Sequence, residues 1–285
     1  MMKKPAFFGR RKLLKPSWSY SVSGTLWRLL VSPGGHLIGE VRDQDQKTAS
    51  FFCADGESGN RLWENVALDE PWWVGVEEVL HDHVVLHGYD KPDMPMHRGI
   101  WVLGLNDGTV RWLDTELEYW FSRQETVYAV RRHAEGKTVV ALDLQSGRVL
   151  SEQRPDAPGL EDLRRSAAEW QRRSDLSFPS ALPETAEQFS RHRSRFEGGL
   201  PLVLPEALHD GDQLLLAYHV ARAGRRGLAS MQAKFAILDE SSGEVRYRDT
   251  LCRSVDAPAT GQFFVRAHIA YYVKDHNTLV AVRVR

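Results

Sequence analysis

Val139–Ser151, VVALDLQSGRVLS, reads as a strand, a tight turn and a second strand, and the unit recurs along the chain. Gly59, Gly108, Gly147 and Gly243 each end a turn, and each follows a small or acidic residue: Ser58, Asp107, Ser146 or Ser242. Four positions before the glycine stands Asp55, Asp143 or Asp239, with Gly104 in the second copy. Four positions after it stands Trp63, Trp112, Ser151 or Tyr247. Apolar runs such as Ile100–Leu103 and Phe235–Leu238 lead into each turn. The glycine suits the left-handed conformation of a short, bulged hairpin turn, and the aspartate accepts turn N–H groups. The aromatic on the outgoing strand covers a sheet edge. One copy is an ordinary hairpin; four with matching offsets define a repeat protein.

The glycines recur at intervals of about 40–50 residues, the period of four-stranded propeller blades, and the last interval is about twice as long. The expected fold is therefore all-β: a β-propeller of five four-stranded blades, with six as the other count. Leu208-His209-Asp210 before Leu214–Tyr218 echoes Leu80-His81-Asp82 before Val84–Tyr89, so these are equivalent hairpins of two blades. Residues 156–199 between them are left as a helical insertion. There Leu160, Leu163, Ala167 and Trp170 keep helical spacing, and Pro183 is placed to open a second helix. A cap packed on the propeller is the plain expectation for these helices, a lid or docking hairpin the sharper one.

Blades are expected at about Gly24–Val66, Pro71–Thr115, Glu118–Gln153 and Leu200–Leu251, with a fifth from Gly261. That last blade has only three strands before the chain stops. Trp18–Ser21, a strand without a hairpin of its own, is expected to complete it and close the ring, which removes exposed edges. Residues 17–285 then form one domain behind a basic tail, 1–16.

The tail carries Lys3, Lys4, Arg10, Arg11, Lys12 and Lys15 and no acid. It reads as a solvated end; weak electrostatic contact with an acidic surface or anionic lipid is the functional option. A net charge of −1 argues against a nucleic-acid binder of the usual basic kind. Cys53 and Cys252 offer neither a disulfide framework nor a metal spacing. No stretch has the length of a membrane span or the apolar centre of a secretory signal, so the expected location is the cytoplasm.

In a four-stranded meander the second turn and the blade link share one face. Here these are the long connections: Asp90–Arg98, Ala221–Met231, the insertion and Arg253–Thr260. Long loops on a rigid scaffold are where binding resides. Asp90, Asp93, His97 and Arg98 in the first loop are the candidate interaction residues, with an acid–base pair as one option and tight turn packing as the other. Arg225 and Arg226 in the second loop would suit a carboxylate or phosphate. His81, His83 and His87 have a ligand-like spacing, but a turn at His81-Asp82 would split them. No metal and no cofactor is expected, and no catalytic signature is present.

The idealised turn, Ala-Leu-Asp-x-x-Ser-Gly-x-x-x-Trp, resembles quinoprotein (PQQ-type) propeller repeats. The dehydrogenases of that group are larger, exported and metal-dependent, so quinone binding is not carried over, and scaffold proteins are the nearer analogy. Leu26-Trp27-Arg28, Trp72-Trp73-Val74-Gly75-Val76-Glu77 and Leu86-His87-Gly88-Tyr89 followed by Lys91–Pro95 and His97 resemble an uncharacterised bacterial family, domain of unknown function 4905. That resemblance implies a propeller-like cytosolic protein and brings no activity. The expected function is a non-catalytic scaffold that binds a protein partner through its long-loop face. The alternative is an enzyme or small-ligand binder at the mouth of the central channel.

Overall fold

The computed structural model describes residues 13–90, 96–172, 175–182, 202–223 and 229–285. The chain divides into two compact units, 22–175 and 1–21 with 176–285. Strand β1 (Trp18–Ser21) belongs to the second of these.

The unit 22–175 contains three four-stranded antiparallel sheets in sequence order. The first is β2 (Thr25–Val31), β3 (His36–Asp43), β4 (Thr48–Asp55) and β5 (Arg61–Val66). The second is β6 (Val74–Leu80), β7 (His83–Tyr89), β8 (His97–Gly104) and β9 (Val110–Asp114). The third is β10 (Glu118–Arg123), β11 (Thr126–His133), β12 (Gly136–Asp143) and β13 (Val149–Gln153). Each is a meander of the kind that builds propeller blades. The central strands read as continuous apolar runs because both their faces are covered: Val84, Val85 and Leu86, or Ile100, Val102 and Leu103, have no exposed surface.

The repeat glycines do two things. Gly59, Gly108 and Gly147 all have positive φ (73°, 67° and 69°), as the turn requires. Gly108 and Gly147 also lie under a tryptophan of the preceding sheet: a Cβ would come within 2.7 Å of the Trp63 ring at Gly108 and of the Trp112 ring at Gly147. The indole N–H of Trp63 donates to the Leu105 carbonyl and that of Trp112 to the Leu144 carbonyl, both at 2.7 Å. The outgoing aromatic thus docks onto the next sheet's turn, which is more than covering an edge. Asp55 and Asp143 accept the N–H and hydroxyl of Ser58 and Ser146, as the repeat predicts. In the second copy Asp107 replaces that aspartate, accepting from Thr109 and Arg111 in space that a Gly104 side chain would fill.

Helix α1 (Leu160–Arg172) follows β13, with Glu161 and Asp162 in its first turn paired to Arg164 and Arg165. Leu160 and Ala167 are buried against Phe121 and Val139, so this helix packs on its own sheet.

The second unit holds two sheets. Strands β15 (Leu202–Asp210), β16 (Gln213–Ala223), β17 (Ala229–Asp239) and β18 (Val245–Val255) form the first, with the two-residue β14 (Ser180–Ala181) added at the β15 edge. Part of the insertion expected to be helical is therefore extended. Its backbone pairs with Glu206 and Ala207 of β15, and the second helix expected to open at Pro183 lies outside the described residues. Gly243 (φ 65°) and Asp239 repeat the turn chemistry with Ser242. Strands β19 (Phe263–Arg266), β20 (Ile269–Lys274) and β21 (Thr278–Arg283) form the last sheet, completed by β1, whose Trp18–Ser21 pairs antiparallel with Thr278–Ala281. Of the tail, Leu14 is tied to Arg246 and packs against the core of this unit.

Five sheets are present among the described residues, the count favoured from the repeats. No described helix is long and apolar enough to cross a membrane.

Candidate functional site

The site lies at one end of the sheet β6–β9, where β7 leaves for the loop to β8. Antiparallel pairing fixes what faces what. Gly75 is opposite His87, and Tyr89 is opposite His97, so His87, Tyr89 and His97 share one face. Strand β6 carries a bulge between Val76 and Glu78. Alternation from Gly75 puts Glu77 on the His87 face, and the bulge brings Glu78, opposite Val85, onto that face too, where it accepts from the hydroxyls of Tyr119 and Ser122 in the next sheet. A comparable bulge interrupts β2 between Leu26 and Arg28 and β10 between Tyr119 and Phe121.

Glu77, His87 and His97 converge on each other. His87 Nδ1 lies 2.6 Å and His97 Nδ1 3.5 Å from the same oxygen, Glu77 Oε2. The two imidazoles stack with centroids 3.6 Å apart and planes 9° from parallel. Tyr89 stands edge-on to both, and Trp73 edge-on to Tyr89. His87 is 2% exposed and His97 28%. Despite the short approach, His87 Nδ1 and Glu77 Oε2 lack hydrogen-bond alignment, and His87 Nε2 also has no hydrogen bond. The contact is one of charge and proximity. Neighbouring carboxylate Glu40, held by Arg42 and the Val76 N–H, comes close to the backbone of Gly75 from the other side.

Burial disfavours the Glu77 carboxylate, but the imidazoles of His87 and His97 and the Arg28 guanidinium outweigh it and leave its pKa below the ordinary carboxylate value. The His97 pKa is lowered, first by burial and then by the adjacent His87, so its neutral form is favoured.

Of the residues singled out from sequence, His97 is in this cluster. Arg98 and Asp90 are paired with each other at 3.4 Å, and Arg98 also bonds Glu116. Asp93, Arg225 and Arg226 lie outside the described residues, so the Asp93–His97 pair has no structural counterpart to report. The His81, His83, His87 spacing is split as expected: His81 sits in the turn with φ 44°, and only His87 joins the cluster. Sequence reading missed Glu77. The available signal was its spacing of ten residues before His87, repeated from His87 to His97, which places one group on each of three successive strands.

Residues 32–112 match the profile of a family described as Domain of unknown function (DUF4905). The DUF4905 match runs from before β3 into β9 and includes Glu77, His87 and His97. No curated protein matches the chain. Among solved structures, a eukaryotic initiation factor is similar at 12% identity and TM-score 0.35, over 91% of this chain and 52% of that one. A quinohemoprotein alcohol dehydrogenase, ADHIIG from Pseudomonas putida HK5, is similar at 12% identity and TM-score 0.30, over 85% and 44%. The β-propeller domain of the Trilobed protease from Pyrococcus furiosus is similar at 11% identity and TM-score 0.31, over 88% and 64%. The chain thus spans about half to two thirds of the length of these structures, and none of the three carries a functional argument.

Proposed function

We propose that this chain is a non-catalytic recognition module of the cytoplasm that binds a protein partner through its long-loop face, centred where β7 and β8 meet their loop. The observation that carries this reading is the exposed aromatic and arginine group at that end. Trp73 is 36% exposed although it belongs to a chain of edge-on rings with Trp72 and Tyr89, and Arg98, next to His97 in sequence, is also exposed. Tryptophan, tyrosine and arginine dominate the binding energy of interfaces, and rings already held by neighbours lose little freedom on binding. The free thiols Cys53 and Cys252 suit a reducing compartment.

The test is affinity isolation of the tagged chain from its native organism, beside a Trp73→Ala, Arg98→Ala variant. A stoichiometric partner should be recovered with the wild type and lost with the variant, whose unfolding midpoint should stay unchanged. Equal recovery by both would sink the reading. A second reading, a small-ligand site, is favoured by the unsatisfied nitrogens of buried His87.

A further inference from the structure

We propose that Glu77, His87 and His97 form a binding site for one divalent first-row transition-metal ion of the Zn2+ class. The inference develops the small-ligand reading and stands apart from partner binding.

One donor atom from each of the three residues lies within 4.8 Å of the others. Two imidazoles and a carboxylate suit Zn2+, Fe2+ or Co2+, and three protein ligands leave a position open for water or a substrate. A buried histidine that only stabilised the sheet would have its nitrogens satisfied by neighbouring polar groups, as His219 does: its Nδ1 meets the Val203 carbonyl, and its Nε2 accepts from the Ala259 N–H and the Gln262 amide. His87 has no such partner at either nitrogen, and Glu77 Oε2 has none. The surrounding fixed charges are Glu40, Glu77 and Glu78 against Arg28 and Arg42, so neutral imidazoles leave the pocket negative. Gly75 opposite His87 leaves the room: a Cβ there would lie 3.3 Å from the ring and 3.2 Å from Glu40 Oε2.

The stacked rings cannot both point a lone pair at one ion, because the planes are parallel. Binding therefore turns one ring out of the stack. His97 is the one free to turn, being partly exposed at the start of β8.

The full-length chain, treated with chelator and dialysed, is titrated with Zn2+ by calorimetry and checked by elemental analysis, with Co2+ absorption as a reporter of the ligand set. The expected result is one Zn2+ per chain, and a Co2+ spectrum with no thiolate band. His97→Ala and Glu77→Gln should each weaken binding by more than about 100-fold, since even partners of metal ligands cost about 10–100-fold. His133→Ala, at an exposed histidine that is not one of the three ligands, should bind as the wild type does. Both test residues are partly exposed, and circular dichroism confirms folding; should His97→Ala unfold, Glu77→Gln carries the test. No stoichiometric Zn2+ on the folded wild type, or binding unchanged in the folded variants, overturns the proposal.

Discussion

Replacing Trp63 with alanine is expected to cost about 3–5 kcal/mol of unfolding free energy, the range for deleting a large buried aromatic. Trp63 is 8% exposed, its ring lies on Gly108 of the next sheet, and its N–H reaches the Leu105 carbonyl. The substitution removes the ring that couples two consecutive sheets, opens a cavity among Val66, Leu103 and Leu105, and leaves a carbonyl without its donor. Trp63→Phe keeps most of the ring and should cost roughly 1–3 kcal/mol, mainly from the lost hydrogen bond. Denaturant unfolding reads both. A loss below about 1 kcal/mol for Trp63→Ala would show that the docked tryptophan does not hold the repeats together.

Glu40→Ala should be comparably severe, at about 3–5 kcal/mol, the cost of removing one partner from a buried ion pair. Glu40 is 2% exposed. One of its oxygens accepts from Arg42 Nε at 2.6 Å, the other from the Val76 N–H at 2.9 Å. Arg42 in turn donates to the carbonyls of Trp72 and Val74 and lies over the Trp72 ring. Without Glu40 a buried guanidinium loses its counter-charge and a strand N–H its acceptor. Adding Arg42→Ala should recover part of the loss, so that the double variant is less damaged than the sum of the singles. Full additivity would contradict the pairing.

The repeat made the sheets legible because each turn carries its own chemistry. A glycine that must take positive φ, an aspartate that caps the turn and an aromatic at a fixed offset mark the third hairpin of a sheet without any tertiary knowledge. The third sheet, β10–β13, runs from Glu118 to Gln153, the bounds read from sequence, and β1 joins β21 as the missing fourth strand predicted. What stayed hidden depends on register. The bulge after Val76 leaves no mark in the sequence Val74–Leu80, yet it puts Glu78 on the face that Glu77 shares with His87. The pairing of His97 with Tyr89, two strands' worth of geometry away from Glu77, is likewise set by where the β7–β8 ladder resumes after its loop. Sequence drew attention to the loop residues, while the groups that converge stand mostly on the strands behind it. The insertion was half legible: α1 follows its apolar spacing, but the edge strand β14 is dictated by the partner it finds in β15.

That the Glu77, His87, His97 end serves binding and not stability is tested most directly by denaturant unfolding of a Glu77→Gln, His87→Met variant in the presence of chelator. Methionine is apolar and adaptable enough to fill an irregular site. Replacing a polar pair that is only partly buried and makes no aligned hydrogen bond should be close to neutral, so the variant is predicted to unfold near the wild-type denaturant midpoint. A loss of about 3–5 kcal/mol, as for breaking a structural buried ion pair, would contradict the assignment and make the cluster part of the scaffold.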